Sequence, residues 1–343
     1  MSEASSKAAA FVSAHLEEAA ALGAELAVLV DEPDAYLKRL TEGLVALSDP
    51  DYLAAVTRAC PETPARYALR GPLTAAMSKP VKAALREGSS MPALMLAQRL
   101  AEADHRDLRL HALEPLRRAL PEDPELAWQV MRRLGRAAAD WIATDSLADL
   151  WARGVLAEHF RWAELEQLLY SRHTYERRLV PATLATIPHR VPTARRHELR
   201  PVAMARAFEV LRLLMGDAEV MVQKALSWAI REWTPVDAGV TAAFLGAEAD
   251  IAAERADGAR AWVIRDTLAK QPPDVAAELR LRLEGLRRDL RAPSTSIASA
   301  QAAAFAAELA TSTDAVAAQG DRLSLIHISE HTRPRRQSLM PTS

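Results

Sequence analysis

The stretch "EDPELAWQVMRRLGRAAADW", Glu122 to Trp141, decides the fold class. Asp123 stands where a helix cap belongs, because a short carboxylate accepts from the unpaired N–H groups of a first helical turn. Pro124 follows at the first helical position, where its fixed φ fits and its missing N–H costs nothing. The residues after it are mostly Ala, Leu, Arg and Glu, all strong helix formers. The same device opens "SDPDYLAAVTRAC", with Asp49 as the cap and Pro50 behind it. Further helices are expected after Gly216 and Asp217, in "GDAEVMVQKALSWAIREW", and after the Pro pair at 272 and 273, in "QPPDVAAELRLRLEGLRRDL".

Working outward, the 343 residues are 50% hydrophobic but only 5% aromatic, with 12 glycines, a composition of helices rather than sheets. The chain reads as all-α. Segments of roughly 12 to 20 residues alternate with short breaks carrying Pro, Gly, Asp or Ser, and pairs of them recur about every 40 residues. That pattern predicts a HEAT-like α-solenoid of antiparallel helix pairs, each burying its apolar stripe against its neighbours. Such a superhelix presents one long concave surface, here expected to be a basic groove suited to a rod-shaped partner.

Cys60 is the single cysteine, which excludes an internal disulfide and a Cys-rich metal site. The start lacks the cationic region and uninterrupted apolar core of a secretion signal, and no later run reaches the ~18 apolar residues of a membrane span. A cytoplasmic, nucleoid-associated monomer is the expectation. The net charge of -2 argues against a general polyanion binder, since non-specific nucleic-acid affinity comes from Lys and Arg displacing counterions.

Distribution changes that reading. Between Ser171 and Arg200 there are seven arginines (172, 177, 178, 190, 195, 196 and 200) against Glu176 and Glu198. All are Arg and none is Lys, which suits bidentate contacts to phosphate oxygens; the alternative is a set of solvated helix faces in an Arg-rich chain. Five of the seven tryptophans, Trp141, Trp151, Trp162, Trp228 and Trp233, fall in the same middle third. In "DWIATDSLADLW", Trp141 and Asp145 lie one helical turn apart and share a face. Trp228 shares one with Lys224, Arg231 and Glu232. Taken singly, each Trp reads as a buried packing residue.

"WIATD", then "YERRLV", then "VQKALSWAIRE", in that order, resemble the AlkD-type DNA alkylation repair proteins, a HEAT-like-repeat family of DNA glycosylases. The resemblance is strongest from about Arg118 to Trp233. It implies that Asp145 sits beside the deoxyribose of a damaged nucleotide, that Trp141 and Trp228 pack against the sugar-phosphate backbone of the lesion, and that Arg178 contacts phosphate. It also implies that duplex DNA is held without swinging the damaged base into a pocket. Arg177, Lys224, Arg231, Arg172 and Arg190 complete the expected DNA-binding set. Where the family usually carries Trp before the Arg pair, this chain has Tyr175, which keeps a ring.

The chemistry is coherent with that assignment. Alkylation at N3 or N7 makes a purine cationic, so the base leaves without a general acid. What remains is to stabilise a deoxyribose of oxocarbenium character and to position a water, work for one fixed carboxylate flanked by indole faces. The expected activity is monofunctional hydrolysis of the N-glycosidic bond of N3- or N7-alkylated purines in duplex DNA. A non-catalytic HEAT-repeat scaffold holding DNA or a protein is the alternative. The two differ in geometry: a glycosylase needs Asp145 with Trp141 and Trp228 exposed beside it, whereas a scaffold tolerates all three buried.

The nine histidines show no HExxH spacing, and His173, His189 and His197 lie within the arginine cluster, where phosphate contacts suit them better than metal ligation. No Gly-rich phosphate loop or GxSxG elbow occurs, and no cofactor is expected. Residues 1–292 are read as the glycosylase domain and 293–322 as a Ser/Thr/Ala-rich linker with one short helix around Ala298 to Ala310. "LSLIHISEHTRP", Leu323 to Pro334, resembles the conceptual translation of a sequencing-library adapter, with His331 where Pro is usual. Residues 323–343 are therefore expected to be non-native, and their arginines are left out of the DNA-binding set.

Overall fold

A computed structural model describes residues 3–308, and among them it contains helices and no strand. In chain order the helices are α1 (Glu3–Val28), α2 (Pro33–Leu47), α3 (Pro50–Ala59), α4 (Gly71–Glu87), α5 (Ser90–Ala101) and α6 (Arg106–Arg109). There follow α7 (Leu113–Ala119), α8 (Pro124–Ala137), α9 (Trp141–Ala157), α10 (Arg161–Gln167) and α11 (Thr174–Arg190). The last are α12 (Ala205–Leu214), α13 (Val220–Trp233), α14 (Ala238–Glu254), α15 (Gly258–Thr267) and α16 (Pro273–Arg282), with a further helical stretch over 297–308. None is long and apolar enough to cross a membrane.

The all-α solenoid is what the chain forms. Helices α7, α9, α11, α13 and α15 pack side by side as one row, and α8, α10, α12, α14 and α16 back onto it as a second layer. The row helices α9, α11, α13 and α15 begin at 141, 174, 220 and 258, a spacing near the ~40 residues of a two-helix repeat. They run parallel, because side chains near one start reach the start of the next: Asp145 pairs with Arg178, and Arg177 with Asp217 just ahead of α13.

The two Asp-Pro starts behave differently. Asp49 is extended, and its Oδ1 accepts from the N–H groups of Asp51 (2.9 Å) and Tyr52 (3.2 Å). Asp123 precedes α8 as expected, with φ of -125° and ψ of 61°, but accepts no cap bond. The helix expected through residue 290 stops at Arg282, before Gly285, whose φ of +78° no helix accommodates.

Close backbone approach fixes the N-terminal end. A Cβ on Gly23 of α1 would strike the Met77 carbonyl of α4, so these helices touch main chain to main chain, with Leu22, Leu26 and Met77 buried around the contact. In the middle, Gly154 leaves room for the Trp128 ring, which lies 4.4 Å from that of Trp151. Polar nodes join the layers. Buried Arg161 bonds Glu125 (2.8 Å), Glu158 (3.0 Å) and Glu164 (2.9 Å) and stacks between Trp128 and Phe160. Arg260 gathers Glu248, Asp257 and the Met215 carbonyl.

The segment from 293, expected to be a linker, is packed down as far as 300. Thr295 donates its N–H to the Gly216 carbonyl at 3.0 Å, its hydroxyl bonds Asp257, and Ser296 and Ala298 are fully buried. The helix expected around Ala298 to Ala310 is present over 297–308. The adapter-like residues 323–343 lie outside the described residues.

Candidate active site

Asp140 builds the site from below. It is extended, 1% exposed, and its Oδ1 accepts from the Ala143 N–H at 2.8 Å, capping α9. Its Oδ2 takes Arg106 Nη1 at 2.8 Å and the Thr63 hydroxyl. Arg106 also donates to the Thr63 carbonyl (3.1 Å) and to Asp107, whose Oδ2 in turn accepts the backbone N–H groups of Arg66 (2.8 Å) and Tyr67 (3.0 Å). One buried node thus joins the 60–68 loop to the start of α9. The first residue of that helix, Trp141, is 36% exposed and donates its indole N–H to the Ala59 carbonyl at 3.3 Å, so the ring is anchored while one face meets solvent.

One turn on, Asp145 meets Arg178 of α11 through two parallel bonds, Nε to Oδ1 at 2.9 Å and Nη2 to Oδ2 at 2.7 Å. Arg178 is buried, and its Nη1 donates to the Met221 carbonyl of α13. Burial pushes the Asp145 carboxyl above its ordinary value, with Arg178 pulling the other way and Asp140 adding to the rise. Trp228 is half-buried at the edge of the core, on the α13 face that carries exposed Lys224.

The tryptophans therefore separate. Trp151, Trp162 and Trp233 are core, as the packing alternative has it, and Trp233 donates its indole N–H to Leu184 at 3.0 Å. Trp141, one turn before Asp145, is exposed, and Trp228 is half-buried.

Three of the seven cluster arginines, 177, 178 and 190, are paired by carboxylates from outside the cluster, which no local count of charge reveals. Arg177 holds Asp217 at 2.8 Å and the Ser171 carbonyl at 2.9 Å. Arg190 holds Asp149 at 2.9 Å, Arg195 holds Glu198 at 2.8 Å, and Arg231 pairs with Asp266. Arg178 gives its guanidinium to Asp145 and Met221 rather than holding it free for phosphate. Among the described residues, Arg172 and Lys224 are exposed and their side chains make no ion pair.

Two cations that the sequence did not single out stand near the site. Asp149, four residues past Asp145, takes Arg117 and Arg153 at 3.1 Å each, besides Arg190. Burial opposes ionisation of Asp149, but these guanidinium groups hold its carboxyl below the usual range. Arg153 continues the stripe of Trp141, Asp145 and Asp149 at four-residue steps, a signal legible in the sequence; Arg117 comes from α7 and is not. Among the described residues no group of three or more His, Cys, Asp or Glu side chains forms a metal site.

A carboxylate in a bidentate clamp, beside an anchored indole, in a parallel row of repeat helices, is a site held in place before any ligand arrives. The family model for DNA alkylation repair enzymes matches residues 40–270. The chain belongs to the DNA alkylation repair enzyme family. The matched span runs from within α2 to the end of α15, and so includes Trp141, Asp145, Arg178 and Trp228. The DNA alkylation repair family makes DNA the substrate and an enzymatic role in repair the function. No curated protein and no solved structure matches the chain.

Proposed function

We propose that this alkylation repair enzyme is a monofunctional DNA glycosylase, hydrolysing the N-glycosidic bond of N3- or N7-alkylated purines in duplex DNA, without moving the base into a pocket of its own. The observation that carries the reading is the Asp145 carboxylate, clamped by Arg178, still partly exposed, and one helical turn from exposed Trp141.

Asp145 supplies the negative charge that a sugar of oxocarbenium character requires as the C1′–N9 bond breaks. In a partly desolvated site that charge acts more strongly than in water, and its orientation is fixed in advance. Arg178 positions it, spending part of its field in return. Trp141 and Trp228 offer electron-rich faces to the sugar-phosphate backbone. Lys224 and Arg172, exposed and making no ion pair, and the partly exposed Arg117, Arg153 and Arg190 gathered on Asp149, are assigned phosphate contacts. Arg177 and Arg231 contribute by holding the helices that carry the others.

The scaffold reading draws on the neutrality of the Asp145–Arg178 pair, and one experiment separates the two. Single-turnover release of 7-methylguanine from a defined duplex at low salt is compared between the intact chain and Asp145→Asn. The glycosylase reading expects a fall of about 100- to 1,000-fold with duplex binding retained. No release from either chain, with salt-sensitive binding intact, overturns it in favour of the DNA-holding scaffold.

A further inference from the structure

Beside the start of α9 lies an open-sided cavity of about 450 Å³, lined by α1 to α4 on one side and by residues 106–117 with Ile142 on the other. Its size falls in the range of small-molecule sites, ~300 to 1,000 Å³. About half of the lining residues are aliphatic, among them Leu44, Val56, Met77 and Leu113. Set among them are Tyr36, Tyr52, Tyr67 and His111. Tyr36 is 3% exposed, yet among the described residues its hydroxyl bonds no protein group, and the same holds for the hydroxyls of Tyr52 and Tyr67 and for both ring nitrogens of His111. Tyr36 is buried and Tyr52, Tyr67 and His111 are half-buried; each carries a polar group that bonds nothing in the protein, and four unspent groups around one cavity are a recognition surface.

That surface is uncharged. Burial pushes His111 down to about 4 against the pull of Asp107, leaving a neutral imidazole with one donor and one acceptor, and burial pushes the Tyr36 phenol up, keeping it protonated. The charged lining groups largely satisfy one another: Glu114 takes Arg117 at 2.5 Å and Lys82 at 3.7 Å, and Arg106 holds Asp107. Aliphatic walls that carry four aromatic side chains with neutral donors and acceptors fit a planar heterocycle with polar edges.

The cavity also adjoins the candidate site. Ile142 follows Trp141, and the Arg117 guanidinium reaches from the cavity lining to Asp149, one turn beyond Asp145. When the C1′–N9 bond of an alkylpurine breaks, both bonding electrons stay on N9 of a base that carried one positive charge. The base therefore departs neutral, water adds to C1′, and the proton of that water passes to solvent. We propose that the cavity binds this free, uncharged purine base after its release; the link to the reaction rests on the glycosylase reading, while the binding site itself rests on the cavity.

The test uses the full chain without DNA, titrated with 3-methyladenine and with 7-methylguanine by calorimetry. Saturable one-to-one binding is expected, weakened about two- to tenfold by Tyr36→Phe and by His111→Ala, each of which removes a hydrogen-bonding group that bonds nothing in the protein. Thermal unfolding of each variant checks that it folds. Absence of saturable binding to the folded wild type, or binding that both variants leave unchanged, overturns the proposal. Single-turnover release measured on the same preparation keeps the two readings apart: base binding without release retains the cavity site and removes only its place in the reaction.

Discussion

Arg178 lays its guanidinium along both carboxylate oxygens of Asp145, at 2.9 and 2.7 Å, from a helix that begins 33 residues after the one it reaches. The pair fixes the carboxylate, and Arg178 opposes the effect of burial on its protonation.

The consequence for pH is directional. On the proposed glycosylase reading, ionised Asp145 is the active form, present above its pKa and lost as pH falls through it. Because burial raises that pKa, the acid limb of the base-release rate is expected to have its midpoint above the ordinary aspartate value of 3.8. Arg178→Gln removes the largest lowering influence, so the limb moves to higher pH and the plateau falls. A pH–rate profile under single-turnover conditions reads both; an unmoved limb in Arg178→Gln contradicts the assignment.

Affinity for DNA divides the basic residues. Lys224→Ala and Arg172→Ala each remove an exposed cation that makes no ion pair, and each is expected to reduce the slope of log K against log salt by about 1. Arg177→Ala instead leaves buried Asp217 without its partner, so stability drops and the slope changes little. Fluorescence anisotropy over a salt series, with an unfolding curve for each variant, separates the classes.

Asp140→Ala removes the α9 cap and breaks the buried Arg106–Asp140 pair, leaving Arg106 only the Asp107 carboxylate. A loss of ~3 to 5 kcal/mol is expected in urea unfolding, the range for breaking a buried pair. Asp140→Asn keeps the cap oxygen and is expected to lose less.

Gly154→Ala drives a methyl into the Trp128 ring, which is itself held by Trp151, Arg161 and Glu164. Overpacking of this kind costs ~1 to 3 kcal/mol. The decisive readout is the melting temperature; a variant that melts with wild type shows that the ring has room to give.

Much of the fold was legible because its signals are local. Cap, proline and four-residue periodicity lie within a few positions of each other, and Asp49, Pro50 and the Trp141–Asp145 face required nothing more. Charge was not legible in the same way. The seven arginines of 171–200 read as a free basic patch until Asp145, Asp149 and Asp217, all outside that window, are brought against three of them by the row packing. Arg106 and Thr63 were silent for the same reason: they meet Asp140 only across 34 and 77 residues of chain. Asp140 itself carried a signal, as an aspartate directly before a helix. Whether a Trp was core or surface followed from which side of its helix met the second layer, and periodicity does not supply that.

Residue 40, where the family match starts, is a poor place to cut. Helix α1 lies wholly ahead of it, with Gly23 seated on the Met77 carbonyl and Leu22 lying over Gly43. A fragment begun at the homology boundary would bare the apolar flank of α4 that Leu22 and Leu26 cover, and with it one wall of the phenol-lined cavity. Recombinant versions of the repair domain should carry the amino-terminal helix, or they will aggregate through the surface it was there to hide.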